Sequence, residues 1–202
     1  MKITLAHGTG SKEMQDLLKL LFSSLSDRVE NIIGIDAFDD GAVISNVAKN
    51  IVISTDAYTV KPIFFPGGDI GKLAASGSIN DVAVMGAEPI IGLDSIVVEE
   101  GFAIDDLRKI VESLISAMES EGVRLVAGDF KVMPKNQIDG IIITTTILGF
   151  LDGEPILDSK ARPWDKVIIS GTVGDHGAVI TAYQYSIDPE KEGIFSDCAS
   201  IL

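Results

Sequence analysis

The stretch that most constrains this chain is residues 64–89, FFPGGDIGKLAASGSINDVAVMGAEP. Pro66-Gly67-Gly68 stops any regular element arriving from the N-terminal side, and Asp69 is placed to cap the helix that follows. From Ile70 onward, Leu73, Ala74, Gly77, Asp81 and Val84 recur at helical spacing and share one face, apolar and small apart from Asp81. An ionised carboxylate on a packed face is costly unless a cation or hydrogen-bond donors compensate it. Gly77 and Ser78 lower helix propensity in mid-helix, which points to something approaching the backbone closely there. Two readings of Asp81 are open at this point: a partly exposed acid in a glycine-tolerant helix, or the polar group of a site.

Around this helix the chain alternates strands and helices in an α+β pattern. Residues 1–11 are a polar, glycine-bearing opening, either a frayed end or a cover over a ligand. Glu13–Leu25 reads as a helix with Met14, Leu17, Leu18, Leu21 and Leu25 on one side. Ile32–Ala37 and Ala42–Ser45 read as strands flanking Asp39-Asp40-Gly41, either a solvated turn or a pair of oxygen ligands. Ile51–Val60 is a β-branched strand interrupted by Asp56, with Ser54 and Asp56 on one face and Thr55 on the other. Ile90–Val98 returns as a strand, and Leu107, Ile110, Val111, Leu114, Ile115 and Met118 form an amphipathic helix ended by Gly122. Val123–Ala127 is a strand ending at Gly128-Asp129, and Ile138–Phe150 is a long, nearly uncharged one. Residues 151–165 read as a linker, which divides a domain over 1–150 from the start of a second over 166–202. That second part opens with a strand at Lys166–Ser170, a glycine loop over 171–177 and a helix from Ala178 to Tyr185. The order is that of an anion cradle, without the GxxxxGK[ST] pattern of a P-loop.

Charge narrows the function. Thirty acidic residues against 16 basic ones leave a formal charge of −14, which argues against nucleic acid. A polyphosphate ligand would have to arrive with metal ions. One cysteine (Cys198) and two histidines (His7, His176) exclude a multi-cysteine or histidine-rich metal centre, so a metal here would be a hard cation held by oxygen. No segment has the length of a bilayer span and the N-terminus lacks a signal pattern, which makes a cytoplasmic location the expectation. Asp39/Asp40, Asp56, Asp81 and Asp129 each lie beside small residues and are together candidates to line an oxygen pocket for Mg²⁺ and nucleotide phosphate, although spacing alone does not bring them together.

The blocks FPGGDIGKLAASGSINDVAVMGAEP, EEGF, VAGDFKV and SGTVGDHG, in this order and spacing, resemble the HypE family of hydrogenase expression/formation proteins. That family belongs to the superfamily of aminoimidazole ribonucleotide synthetase, thiamine-monophosphate kinase and selenophosphate synthetase. The resemblance implies an α+β N-terminal domain that pairs with its twin across a β-barrel-like interface and binds ATP nearby. It places magnesium on Asp39 and Asp40 (DDGAV), Asp56 (STD), Asp81 (ND) and Asp129 (GD). Thr55, Asn80, Lys72 and Lys131 fall at nucleotide-contacting positions, and Asp175 and His176 (GDHG) where the second domain contributes to catalysis beside Asp81. The implied reaction is ATP- and Mg-dependent dehydration of a carboxamide on a C-terminal cysteine to a thiocyanate, the cyanide source for the iron of nickel–iron hydrogenases. Implied partners are a HypF-like carbamoyltransferase and a HypC–HypD-like scaffold. The sequence departs from the pattern by ending at Leu202, without the rest of the second domain or a terminal cysteine. Cys198, in SDCA, matches an internal position and reads as a small apolar residue. A non-catalytic nucleotide-binding and dimerisation module, or another ATP-dependent kinase or synthetase of the superfamily, are the alternatives.

Overall fold

The computed structural model describes Lys12, Gln15, Asp16, Ile32, Ile33, Ala42–Ile44 and residues 49–202. Contacts divide the chain into two compact units, Met1–Glu30 and Asn31–Leu202. Of the first unit Lys12, Gln15 and Asp16 are described, all helical. The rest of the expected 13–25 helix, the 1–11 opening, Asp39 and Asp40 lie outside the described residues.

In the second unit the elements run β1 (Ile32–Ile33), β2 (Ala42–Ile44), β3 (Asn50–Tyr58), β4 (Phe64–Phe65), β5 (Gly68–Asp69), α1 (Ile70–Val84), β6 (Glu88–Glu99), α2 (Ile104–Ser120), β7 (Arg124–Met133), β8 (Ile141–Leu151) and α3 (Asp175–Gln184). Among the described residues the main sheet has the order β1-β2-β3-β8-β6-β7. Every neighbouring pair is antiparallel except β6–β7, whose parallel pairing requires the crossover that α2 supplies. The β4–β5 hairpin turns at Pro66-Gly67 and hands the chain to α1. Asp69 caps that helix as its position predicts, accepting from the backbone of Gly71 at 2.7 Å and Lys72 at 3.0 Å.

β8 sets the layers. Its odd-numbered residues from Ile141 to Leu151 are buried and its even-numbered ones half-buried, the period-two signature of a sheet with two different faces. Both helices cover the odd-numbered face: Thr145 bonds α1, and α2 brings Met118 against Gly92 of β6. Ile70, Ile79 and Val82 of α1, Ile110, Leu114 and Met118 of α2, and Ile143 and Ile147 of β8 fill the space between. The helices touch at Gly71, where a Cβ would overlap the Ile110 carbonyl.

Three local expectations are corrected. The buried residues of α1 are Ile70, Gly71, Ala74, Ala75, Ser76, Ser78, Ile79 and Val82, while Val84 is 41% exposed; the helix is held by the sheet, α2 and the 196–201 segment, so burial wraps more than one face. β7 does not stop at Gly128-Asp129 but runs on to Met133, with Asp129 in mid-strand. It is the edge of the sheet, where a charged residue reaches solvent from within a strand. Lys166–Ser170 forms no strand, and Val167 and Ile168 are almost fully exposed: among the described residues no strand lies alongside to pair with it. No described helix is long and apolar enough to cross a membrane.

Candidate functional site

The β3–β8 register puts Val52, Ser54, Asp56 and Tyr58 on the helix-covered face, opposite Gly149, Ile147, Thr145 and Ile143. α1 runs across this face and brings Asp81 to it. The Ser54 hydroxyl donates to Asp81 Oδ2 at 2.7 Å, a short, charge-assisted bond from a side chain that is 6% exposed. Ser54 is not the only partner of Asp81. Asp56, one side-chain step along β3, is exposed. Further along the same face of β3 is Tyr58, whose hydroxyl pairs with Ser78 Oγ at 3.2 Å. Ser78 in turn pairs with Thr145 Oγ1 at 2.7 Å, which donates to the Ala74 carbonyl at 2.9 Å. Burial pushes the Tyr58 phenol well above its ordinary pKa, and the carboxylates of Asp56 and Asp81 add to the rise against the Ser78 bond. The mid-helix glycine is explained: a Cβ at Gly77 would overlap the Tyr58 hydroxyl.

One acid in this region escaped the sequence reasoning. Asp94 of β6 pairs with Thr145 on one side and with Gly128 of β7 on the other, so Asp56, Thr145, Asp94 and Gly128 form a single row across the sheet. Burial raises the Asp94 carboxyl above the usual carboxylate range, against a hydrogen bond from its own backbone. Gly128 makes room for it, since a Cβ there would overlap Asp94 Oδ1. The signal was present in the sequence as a lone acid within the apolar run IIGLDSIVV.

Of the other expected residues, Thr55 and Thr146 hydroxyls meet at 2.8 Å on the opposite face of the sheet. Asp129 and Lys131 are aligned with Ser95 and Val97 on that same opposite face, both exposed. Asn80 turns away from Asp81: its amide donates to the Ala199 carbonyl at 3.2 Å and accepts from the Ile201 amide at 2.9 Å. Lys72 donates to the Gly67 carbonyl at 3.1 Å. The Asp175 carboxylate accepts from the Thr172 hydroxyl. His176 pairs through Nδ1 with Ser196 Oγ at 3.0 Å, and its ring meets Phe65 edge-on at 5.0 Å. Cys198 is buried with Phe65 and Val179, and burial raises its thiol to about 11, partly offset by Lys72.

Asp56 and Asp81 are therefore brought to one corner, Asp129 and Lys131 lie across the sheet, and Asn80, Lys72 and His176 belong to the seam with the 194–201 segment. Among the described residues no three acids, histidines or cysteines gather closely enough to enclose a metal by themselves. Two carboxylates with no sulfur or imidazole suit Mg²⁺, which is commonly held by one or two carboxylates completed by phosphate and water oxygens.

Residues 38–151 match the family model described as AIR synthase related protein, N-terminal domain. The chain is 44% identical over 204 residues to a putative hydrogenase expression/formation protein of Methanocaldococcus jannaschii, covering 100% of this chain and 60% of that one. It is 39% identical to the carbamoyl dehydratase HypE of Cupriavidus necator, covering 99% and 56%. Among solved structures it is similar to HypE in a HypE–HypF complex (TM-score 0.82, 38% identity, 95% of this chain and 59% of that). It is also similar to HypE in complex with ATP (TM-score 0.72, 32% identity, 98% and 58%). The chain thus spans somewhat more than half the length of these relatives.

Proposed function

The chain belongs to the AIR synthase related family, and we propose that it is the nucleotide-binding part of a HypE-type hydrogenase maturation protein. In this reading the whole protein uses ATP to dehydrate a cysteine-bound carboxamide. The amide oxygen takes the γ-phosphoryl group and leaves as phosphate, the nitrogen gives up both protons, and a thiocyanate remains as the cyanide donor for the iron of nickel–iron hydrogenases. An amide oxygen is a poor leaving group, and phosphorylation makes it a good one. The observation that carries the reading is the Ser54–Asp81 bond, which joins the STD strand to the ND helix and leaves Asp56 beside them.

Asp56 and Asp81 would hold Mg²⁺, with Asp39 and Asp40 as further ligands. Mg²⁺, when bound, supplies the charge neutralisation that phosphoryl transfer depends on and that a chain of charge −14 cannot. Ser54 fixes the Asp81 carboxylate, Asn80 and His176 join the 64–80 and 175–201 segments on which a phosphate contact would depend, and Lys72 and Asp175 brace the loops at Gly67 and Thr172. A homodimer formed on the uncovered sheet face supports roles for Thr55, Asp129 and Lys131 at the interface. A cytoplasmic protein receiving its carbamoyl group from a HypF-like transferase and passing cyanide to a HypC–HypD-like scaffold completes the proposal.

A second reading has its own observation. Cys198, the only cysteine, is buried with a raised thiol pKa and is not poised to accept a carbamoyl group. In this reading these 202 residues serve as a nucleotide-binding and dimerisation module in which Cys198 takes no part in the chemistry. Isothermal titration with ATP and Mg²⁺, followed by phosphate release with a peptide thiocarbamate, separates the two. Binding with release supports the dehydratase, binding without release the module, and no binding removes both.

A further inference from the structure

The β3–β8 ladder stops short of the start of β8. Its last pair is Tyr58 with Ile143, and the next hydrogen-bonded pair in register would be Val60 with Ile141. That pair does not form: among the described residues 59–62 make no backbone–backbone hydrogen bond. Along an antiparallel strand the backbone groups of successive residues turn to alternate sides. The Gly140 carbonyl accepts from the Glu99 amide on the β6 side, so the Ile141 carbonyl turns the other way, to the side from which β3 has parted. The Ile141 amide is taken by the Asp139 carbonyl at 3.0 Å. Its carbonyl, and the amide and carbonyl of Val60, have no backbone partner among the described residues.

Between the parted segments lies a cavity of about 800 Å³, lined by Val60, Pro62, Ile63, Phe102, Ile138 and Ile141 among others. Val60, Ile63 and Phe102 are braced against the core. The two charged residues of the lining, Lys61 and Asp139, pair with each other at 2.7 Å and leave no net charge for an ionic ligand. An apolar molecule would cover these walls and leave the backbone groups unmet. An extended peptide meets both requirements, since its amides and carbonyls pair while alternate side chains enter the cavity.

We propose that this notch is a peptide-binding site, in which an extended segment of uncharged sequence enters as a strand between Val60 and Ile141. The segment accepts from the Val60 amide, donates to the Ile141 carbonyl and places alternate β-branched side chains in the cavity. The proposal is independent of the nucleotide reading and uses none of the acids assigned to it.

The probe is the capped peptide acetyl-Thr-Val-Thr-Val-Thr-amide, added to the nitrogen-15-labelled chain and followed by amide shifts and hydrogen exchange. Saturable shifts centred on Val60, Lys61, Ile141 and Ile142 are expected, with exchange of the Val60 amide slowed about tenfold or more. The same peptide N-methylated at both valines keeps every side chain and loses two donors, and should bind about tenfold more weakly or worse. Ile138→Trp, which fills the cavity from a half-buried loop position, should weaken the unmodified peptide similarly at an unchanged melting temperature. Absence of saturable shifts at millimolar peptide, or equal binding of the N-methylated peptide, overturns the proposal. Indole shifting the same amides as strongly would make the cavity a small-molecule pocket, and shifts that follow protein concentration without peptide would assign the notch to a second copy of the chain; either overturns it as well.

Discussion

Asp81→Asn separates the two things that Asp81 does. As an acceptor it fixes Ser54 at 2.7 Å, and an asparagine oxygen can take the same place. A hydrogen bond to a charged group contributes ~1.5–3 kcal/mol and a neutral one ~0.5–1.5, so the exchange costs about 1 kcal/mol of stability. In a unit the size of residues 31–202 this lowers the melting temperature by about 2–4 °C. As a charge the loss is larger. A carboxylate about 4 Å from a cation, at an effective dielectric of about 20, attracts each unit of cation charge with about 4 kcal/mol. Desolvation returns much of that; if about 2 kcal/mol survives, Mg-dependent ATP affinity falls about thirtyfold. Calorimetric titration with ATP in Mg²⁺ and in EDTA measures the second effect, thermal unfolding the first, and sedimentation checks that the oligomeric state is unchanged. Affinity within threefold of the unsubstituted chain, in a variant that melts within a few degrees of it, would refute the reasoning and reduce Asp81 to an anchor for Ser54.

Gly71→Ala gains ~0.5–1 kcal/mol of helix propensity but drives a Cβ into the Ile110 carbonyl; overpacking of about 1–3 kcal/mol against backbone should win, giving a lower urea midpoint rather than a higher one. Asp94→Asn should stabilise the chain at neutral pH. Burial raises the Asp94 carboxyl, so its charged form penalises the fold above that raised pKa, and the penalty is absent below the ordinary carboxylate range. Urea midpoints of the two proteins should accordingly converge as pH falls towards 4. Cys198→Ala should show the thiol's alkaline signature: with the folded pKa raised from 9.0 to about 11, the stability attached to the neutral thiol is fully present below pH 9 and lost as pH rises through 11. The stability gap between the unsubstituted chain and Cys198→Ala, measured by urea unfolding, should narrow over that interval.

The sequence made most of the fold legible where local physics and tertiary burial agree. Asp69 caps α1 because the first turn of a helix leaves amides without intrahelical partners, here those of Gly71 and Lys72, and α2 is followed by Gly122 with φ +73°, as a helix stop demands. The strands of the centre read correctly because β-branched runs were bounded by turns. The misjudged elements are those whose state depends on a neighbour. Lys166–Ser170 has strand composition, but a strand needs a partner and none of the described residues supplies one. β7 runs past Gly128 because β6, distant in sequence, pairs with it as far as Met133. Nothing within VAGDFKV announces that.

The same dependence governs the site. Strand alternation correctly grouped Ser54 with Asp56 and set Thr55 apart, since β3 is regular across that span. It could not say on which side Asp129 falls, because β7 slips by one residue against β6 after Gly92, and a one-residue slip exchanges the faces of everything beyond it. That slip aligns Gly128 with Asp94 and sends Asp129 and Lys131 to the uncovered face. If those two residues contact nucleotide phosphate, they do so from the face on which a second subunit would dock. Nucleotide affinity in the unsubstituted chain and in Asp81→Asn would then depend on protein concentration, whereas affinity in Asp129→Asn would not. Equal behaviour of the two variants on dilution would show that the register, and not the oligomer, had been given too much weight.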